Sequence, residues 1–299
     1  MRTGIYQGCF AADVPMADCL RMAAELGFDG LEATMEDPAP LLPEAVASCT
    51  DDILAIGRSV GMTTVRPGAL TVASSEEDAR EVGRLARAAG VRVHSVATMM
   101  LFFYPLSSPI PAVRDKGIQT VLRMLRAAAT LKADTVLIYP GLVTPSVGYR
   151  EVYQRSQAVL RDLESEARRL GVVLALENVW NRFLQSPLEM ARYIDELGSE
   201  YVGAYFDVAN VLRLGYPQDW LRVLGARVKG VHFKDFRRDI DTILGFTHLL
   251  HGDVDWPAVV AALKGIGYQG FVTVEVAPLA ADPEKGLRDA KSSLDRILG

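Results

Sequence analysis

The sequence predicts a single-domain α/β protein, a (β/α)8 TIM barrel running over residues 1–299. Three observations carry that expectation. Short β-branched, apolar runs alternate with segments of helical period about eight times, which fits a barrel of ~250 residues with insertions. The later runs, GVVLALEN, YVGAYFDVAN, RVKGVHFKD and GFVTVEV, are almost continuously apolar, as parallel strands buried on both faces are. The rival architecture, an open doubly wound sheet, calls for a glycine-rich phosphate turn after its first strand. GIYQGCF lacks the GxGxxG spacing. No linker, low-complexity tract or charge block divides the chain, so one domain is expected.

The elements follow in order. RTGIYQG reads as the first strand, and a helix over about Met16–Leu26 stops at Gly27. FDGLEAT is the second strand, with Glu32 near its end. Helices are expected over about Glu44–Val60 and Glu76–Ala89, the latter closed by Gly90. Met62–Ala73 between them adds a strand or an excursion loop. VRVHSVAT is the third barrel strand. The aromatic and proline-rich connection MMLFFYPLSSPIPAV follows, and connections of that length inside a compact domain are more often functional than accidental. A helix over about Val113–Leu131, the strand DTVLIYPG and a helix over Tyr149–Leu170 lead to the four runs quoted above. Helices over about Pro187–Leu197, Pro217–Leu224 and Pro257–Ile266 separate those runs, and one over about Glu284–Leu298 ends the chain. Proline recurs in the first turn of three of them, where its missing N–H is no loss.

Composition narrows the class. With 49% hydrophobic and 23% charged residues the chain has the balance of a water-soluble globular domain. A net charge of −5 gives no basic face for nucleic acid or an anionic membrane. Cys9, Cys19 and Cys49 are odd in number and form no CxxC pair, so reduced thiols in a cytoplasmic protein are expected. MRTGIYQGCF lacks the pattern of a signal peptide, and no apolar run approaches the ~20 residues of a spanning helix.

Four of the strand runs end on Glu177, Asp207, His232 and Glu275, spaced 30, 25 and 43 residues apart, roughly one strand-helix unit each. A charge buried at a strand end is costly unless compensated. Any one of these residues could cap a helix or pair with a neighbouring Arg or Lys. Three carboxylates turned into one cavity would repel one another without a cation, so the set points to a shared divalent ion at the carboxyl end of the barrel. An oxygen-rich donor set suits Mn²⁺ or Mg²⁺, with Co²⁺ or Zn²⁺ also feasible.

The motifs ALEN, FDVAN, VHFKD and VEV, in that order, with GDVDWPAVVAALKGIGYQG ahead of the last strand, resemble the xylose-isomerase-like sugar phosphate isomerase/epimerase superfamily. The resemblance implies a TIM barrel whose metal is held by Glu177, Asp207, His232 and Glu275, with the two glutamates as acid and base. It places a substrate-contacting arginine at Arg238, six residues past His232, with Arg237 adjacent. Many ketose 3-epimerases and hydroxypyruvate isomerases carry a histidine three residues after the metal aspartate; here Asn210 stands there. DVAN is closer to the D-V-G-N of L-xylulose 5-phosphate 3-epimerases, which leans toward a phosphorylated ketose, although no separate phosphate-binding signature is present. Asparagine can hydrogen-bond a hydroxyl but carries no proton at neutral pH.

The expected activity is therefore that of a metal-dependent isomerase on a ketose or ketose phosphate, with 3-epimerisation foremost. Glu177 and Glu275 would abstract and return a proton on opposite faces of a carbon beside the carbonyl, through an enediolate. Asn210, Lys234, Trp180 and Arg238 are candidate substrate contacts. Aldose-ketose isomerisation and inosose-type dehydration begin with the same step and remain rivals. An apurinic-site endonuclease would need more histidines than the four present and a basic groove. A non-catalytic sugar-binding protein would have little use for the ligand quartet. Relatives implied by the resemblance are often dimers or tetramers, so a homo-oligomer is an open expectation.

Remaining candidates have plain readings beside the functional ones. Glu32 could support the site, or lie at the surface or in an ordinary ion pair, and His94, in mid-strand, reads as an interior histidine with its hydrogen bonds satisfied. Lys234 could touch substrate or pair with a carboxylate. His248 and His251 fall in the loop before the last strand, where solvated histidines are common. Trp180, Phe102, Phe103 and Tyr104 could line a sugar-binding wall or pack the barrel rim.

Overall fold

The chain begins with a strand that ends up between the second strand and the last, and this pairing closes the sheet on itself. A computed structural model describes residues 1–50 and 65–299. Among them, the eight barrel strands are Arg2–Tyr6 (β1), Gly30–Glu36 (β2), Arg92–Ala97 (β3), Thr135–Ile138 (β4), Val173–Glu177 (β5), Val202–Asp207 (β6), Val228–Phe233 (β7) and Phe271–Val274 (β8). Each runs parallel to its neighbours in chain order. β1 pairs with β8 from Arg2↔Phe271 to Ile5↔Val274 and with β2 from Gly4↔Gly30 to Tyr6↔Glu32.

The helices fall close to their expected places: Met16–Glu25 (α1), Pro43–Ser48 (α2), Glu76–Ala89 (α3), Pro111–Leu131 (α4), Tyr149–Leu170 (α5), Pro187–Asp195 (α6), Pro217–Leu224 (α7), Trp256–Gly265 (α8) and Pro283–Leu298 (α9). Proline opens or nearly opens six of them. The end signals behave as their chemistry requires. Ser75 and Asp78 form a reciprocal capping box at the start of α3, and Gly90 ends it in the left-handed conformation at φ 83°. The helix expected over about Glu44–Val60 is found only as Pro43–Ser48, because Cys49 is already extended at ψ 147°; residues 51–64 lie outside the described residues. Likewise, Met62–Ala73 is described only from residue 65. Its Leu70–Thr71 forms a short strand against the end of β2.

The barrel interior is filled rather than open. Tyr205 on β6 and His94 on β3 occupy it below the carboxyl end, both buried. They fit because the facing positions are glycine. A Cβ on Gly4 would lie 2.6 Å from His94 Nε2, and one on Gly230 would lie 2.5 Å from the Tyr205 ring. His94 stacks on Phe271 with centroids 4.0 Å apart, and its Nε2 meets Thr273 Oγ1 at 3.2 Å. Burial lowers its pKa to about 4, so it is a neutral interior group as the sequence suggested.

The long connection after β3 is mostly rim packing. Phe103 and Tyr104 are buried in a small satellite core with Ala45, Met100, Val113 and Leu142, and the Tyr104 hydroxyl accepts from the Leu42 N–H at 3.1 Å. Only Phe102 remains partly open, tilted against Tyr139 at 4.4 Å. No helix among the described residues is long and apolar enough to cross a membrane.

Candidate metal centre

Strand register explains why four distant residues meet. Asp207 and His232 are direct cross-strand partners on β6 and β7. Glu177 pairs with Tyr205 one layer below Asp207, and Glu275 follows the last β7–β8 pair, its N–H bonding Phe233 O at 3.0 Å. In barrel order the two glutamates therefore flank the aspartate and histidine. One ligand atom from each of the four residues lies within 4.8 Å of the others.

His232 Nδ1, facing that point, is buried and makes no hydrogen bond, and the buried Asp207 Oδ2 has the Lys234 ammonium, 3.1 Å away, beside it. His232 Nδ1 stands 3.3 Å from Glu275 Oε2, 3.5 Å from Glu177 Oε1 and 3.9 Å from Asp207 Oδ2. An orphaned buried acceptor converging with carboxylates is costly unless a cation completes it, so the donor set fits a divalent ion. Glu177, Asp207 and His232 are all but inaccessible, whereas the Glu275 side chain keeps 24% exposure toward the mouth.

The surroundings hold this geometry. Asp207 Oδ1 accepts from the Asn210 N–H at 2.7 Å. Asn178, next to Glu177, bonds both backbone groups of Asp207: its Nδ2 donates to Asp207 O at 2.8 Å and its Oδ1 accepts from Asp207 N at 2.9 Å. Asn210 Nδ2 donates to Asn178 O at 2.9 Å, so this amide is committed to buttressing the loop. Asn178 was not singled out from sequence; its position beside a strand-end glutamate was the available signal.

Lys234 does pair with carboxylates, one of the two roles open to it. Its Nζ lies 2.6 Å from Glu275 Oε2 and 3.1 Å from Asp207 Oδ2, and 4.7 Å from the centre of the Phe246 ring. The charges pull the two glutamates apart. Burial, assisted by Glu275 and opposed by the neighbouring His232 ring, pushes Glu177 up to about 7. Burial also works on Glu275, but Lys234 and His232 outweigh it and hold that carboxyl well below its usual range. A bound divalent cation would draw both downward.

Trp180 packs near the cluster, its Nε1–H donating to Asn210 O at 3.0 Å and its ring meeting Phe236 and Phe246 at 5.5 and 4.9 Å. Arg238 stands on the exposed rim, with its guanidinium 6.0 Å from the Tyr216 ring and its N–H bonded to Asp253. His248 is half-buried and hydrogen-bonded to the Ala277 backbone, while His251 is exposed. Glu32 proves to be fully buried, its Oε1 2.7 Å from His232 Nε2. The surface role open to it from sequence is thereby replaced by a place directly behind a ligand.

Asp235 anchors the loop that follows β7. Its Oδ1 accepts from Phe236 N and Val254 N at 2.9 and 3.1 Å, and its Oδ2 from Leu250 N and Trp256 Nε1 at 3.1 and 3.0 Å. Gly252 has no side chain where Asp235 sits against it. Asp235→Asn places an NH2 group against donors, which is expected to cost about 2–3 kcal/mol, the usual order for leaving buried partners unsatisfied. Thermal or denaturant unfolding would read this, and an unchanged midpoint would contradict the anchoring role.

A model of the xylose isomerase-like TIM barrel family matches residues 20–297. L-ribulose-5-phosphate 3-epimerase UlaE of Escherichia coli (strain SMS-3-5 / SECEC) is 25% identical over 296 residues, covering 96% of this chain and 92% of that protein. The uncharacterized protein MJ1311 of Methanocaldococcus jannaschii is 24% identical over 189 residues; there the match spans 60% of this chain and 61% of its relative. Among solved structures, an L-ribulose 3-epimerase superposes with a TM-score of 0.75 at 17% identity, covering 99% of this chain and 94% of the other. An IOLI protein with a bound zinc atom superposes with a TM-score of 0.73 at 17% identity, covering 100% and 98%. These superpositions establish the barrel.

Proposed function

The chain belongs to the xylose isomerase-like TIM barrel family, and from that premise we propose that it is a divalent-metal-dependent 3-epimerase of a ketose or ketose phosphate. The observation that carries this reading is the pair of glutamates that bracket one buried ligand cluster at the carboxyl end of the barrel. Glu177, Asp207, His232 and Glu275 would hold the ion, with Mn²⁺ or Mg²⁺ favoured by three carboxylate donors and Co²⁺ or Zn²⁺ feasible. When bound, the ion would supply Lewis-acid polarisation of the substrate carbonyl, worth several kcal/mol.

The residues divide the rest of the work. One glutamate removes the proton from the carbon beside the carbonyl and the other returns a proton to the opposite face, inverting the centre. Lys234, beside Glu275, holds that carboxylate ionised and lies close enough to meet a substrate oxygen. Trp180 offers an apolar surface to the sugar, Asn210 lies beneath it, and Arg238 on the rim would reach the distal end of the substrate. The DVAN motif and the similarity to L-ribulose-5-phosphate 3-epimerase UlaE support a phosphorylated ketose.

A screen of ketoses and ketose phosphates in deuterated water with added Mn²⁺ tests the assignment. Solvent deuterium is expected at C3 of the substrate and product, with inversion there. Label at C1 or C2 with carbonyl migration would instead make the enzyme an aldose-ketose isomerase, and loss of water a dehydratase.

A further inference from the structure

Beneath the ligand quartet runs a buried polar chain that the epimerisation itself does not use. Glu32, on β2, reaches across to β7 and places Oε1 2.7 Å from His232 Nε2. Tyr205 lies against the His232 ring, with centroids 4.6 Å apart, and its hydroxyl donates to Thr273 Oγ1 at 3.5 Å. Thr273 Oγ1 in turn meets His94 Nε2 at 3.2 Å. Glu32, Tyr205, Thr273 and His94 are each at most 3% exposed. A carboxylate fully enclosed in a barrel is expensive, and its role should be sought in the one strong contact it makes.

Resting on the metal-dependent reading above, we propose that Glu32 is a positioning residue that fixes the His232 ring with its proton on Nε2 and its Nδ1 lone pair toward the ligand cluster, and so sets the protein's affinity for its divalent ion. The imidazole can coordinate through Nδ1 only while that nitrogen is unprotonated, and an ionised acceptor at Nε2 enforces that tautomer. The carboxylate also makes the ring a more basic donor. Tyr205 packs against the same ring, its centroid 4.6 Å from that of His232, and limits how the imidazole can turn. Glu32 Oε2 has no hydrogen bond of its own, so the contact to His232 is the principal tie holding this side chain.

Glu32→Gln tests the proposal, with Mn²⁺ binding followed by titration calorimetry on chelator-treated full-length protein. A glutamine can turn its NH2 toward Nε2 and favour the unproductive tautomer. The Mn²⁺ Kd is expected to rise about 10–100-fold, the range for partners behind metal ligands, while the melting temperature of the metal-free protein changes little. A purely structural role would lower the melting temperature and leave Kd unchanged; that result overturns the proposal. If the wild type itself binds no Mn²⁺, both the metal-dependent reading and this one are overturned. Wild-type binding matched by equally tight binding in Glu32→Gln overturns only the positioning role. Should Glu32→Gln fail to fold, Glu32→Asp decides: the shortened carboxylate no longer reaches His232 Nε2, weaker Mn²⁺ binding is expected, and an unchanged Kd contradicts the proposal.

Discussion

Glutamine at position 177 is expected to reduce kcat by about 10³-fold or more, since general acid–base groups commonly contribute about 10²–10⁴-fold and this one is also a proposed metal ligand. Glu275→Gln should be as damaging. The two variants should differ in stability, however, and that difference checks the electrostatic picture. Glu177 has a folded pKa near 7, raised above its ordinary 4.5. The folded state therefore binds more protons than the unfolded chain between those values, and in the metal-free protein stability falls as pH rises from about 4.5 to about 7. Glutamine removes that loss. Metal-free Glu177→Gln is thus expected to melt at or above the wild-type temperature at pH 8.

Glu275 has the opposite sign. Its folded pKa is depressed, so it contributes stability above its unfolded pKa, and that contribution fades only as pH falls toward the folded value. Glu275→Gln also leaves the Lys234 ammonium, 12% exposed, with Asp207 as its remaining nearby acid. A lower melting temperature is expected for this variant. Steady-state epimerisation and thermal melts on both proteins test the pair together. Near-wild-type turnover in either variant would refute the two-base assignment.

Withdrawal of divalent ions is the second large effect. Chelator-treated protein should lose turnover and melt at a lower temperature, and added Mn²⁺ should restore both. A ligand at 1,000 times its Kd stabilises the folded state by about 4 kcal/mol when it binds the unfolded chain negligibly. The shift should diminish in Asp207→Ala and in His232→Ala. Full activity in protein shown by elemental analysis to contain no divalent metal would remove the basis for a metal-assisted reaction.

Much of this arrangement could be read before any tertiary contact was known, because the signals are local. Parallel strands buried on both faces leave apolar runs, and helices declare their ends through Gly90 and Ser75. Glu177, Asp207, His232 and Glu275 stood out because each interrupts such a run at its end. Other features were invisible for a definite reason. Between the two roles open to Phe103 and Tyr104 the sequence could not choose, because their packing partners, Ala45 of α2 and Leu142 after β4, are distant in the chain. Arg238 has a suggestive offset from His232, and its place on the rim, 6.0 Å from the Tyr216 ring, is set by the fold of the loop rather than by that offset.

The sequence by itself determined the strand-helix rhythm, the barrel and the chemical character of the four strand ends, since period and residue type are properties of contiguous segments. Only the tertiary structure decided that Glu32 stands behind His232, that Lys234 leans on Glu275 and Asp207, and that Asn178 grips the Asp207 backbone. Those contacts depend on which residues share a layer once β1 meets β8 and the cylinder closes. A shift of one residue along any strand would turn its side chain from the interior to the helices, and no local pattern in the chain specifies that alignment across 200 residues.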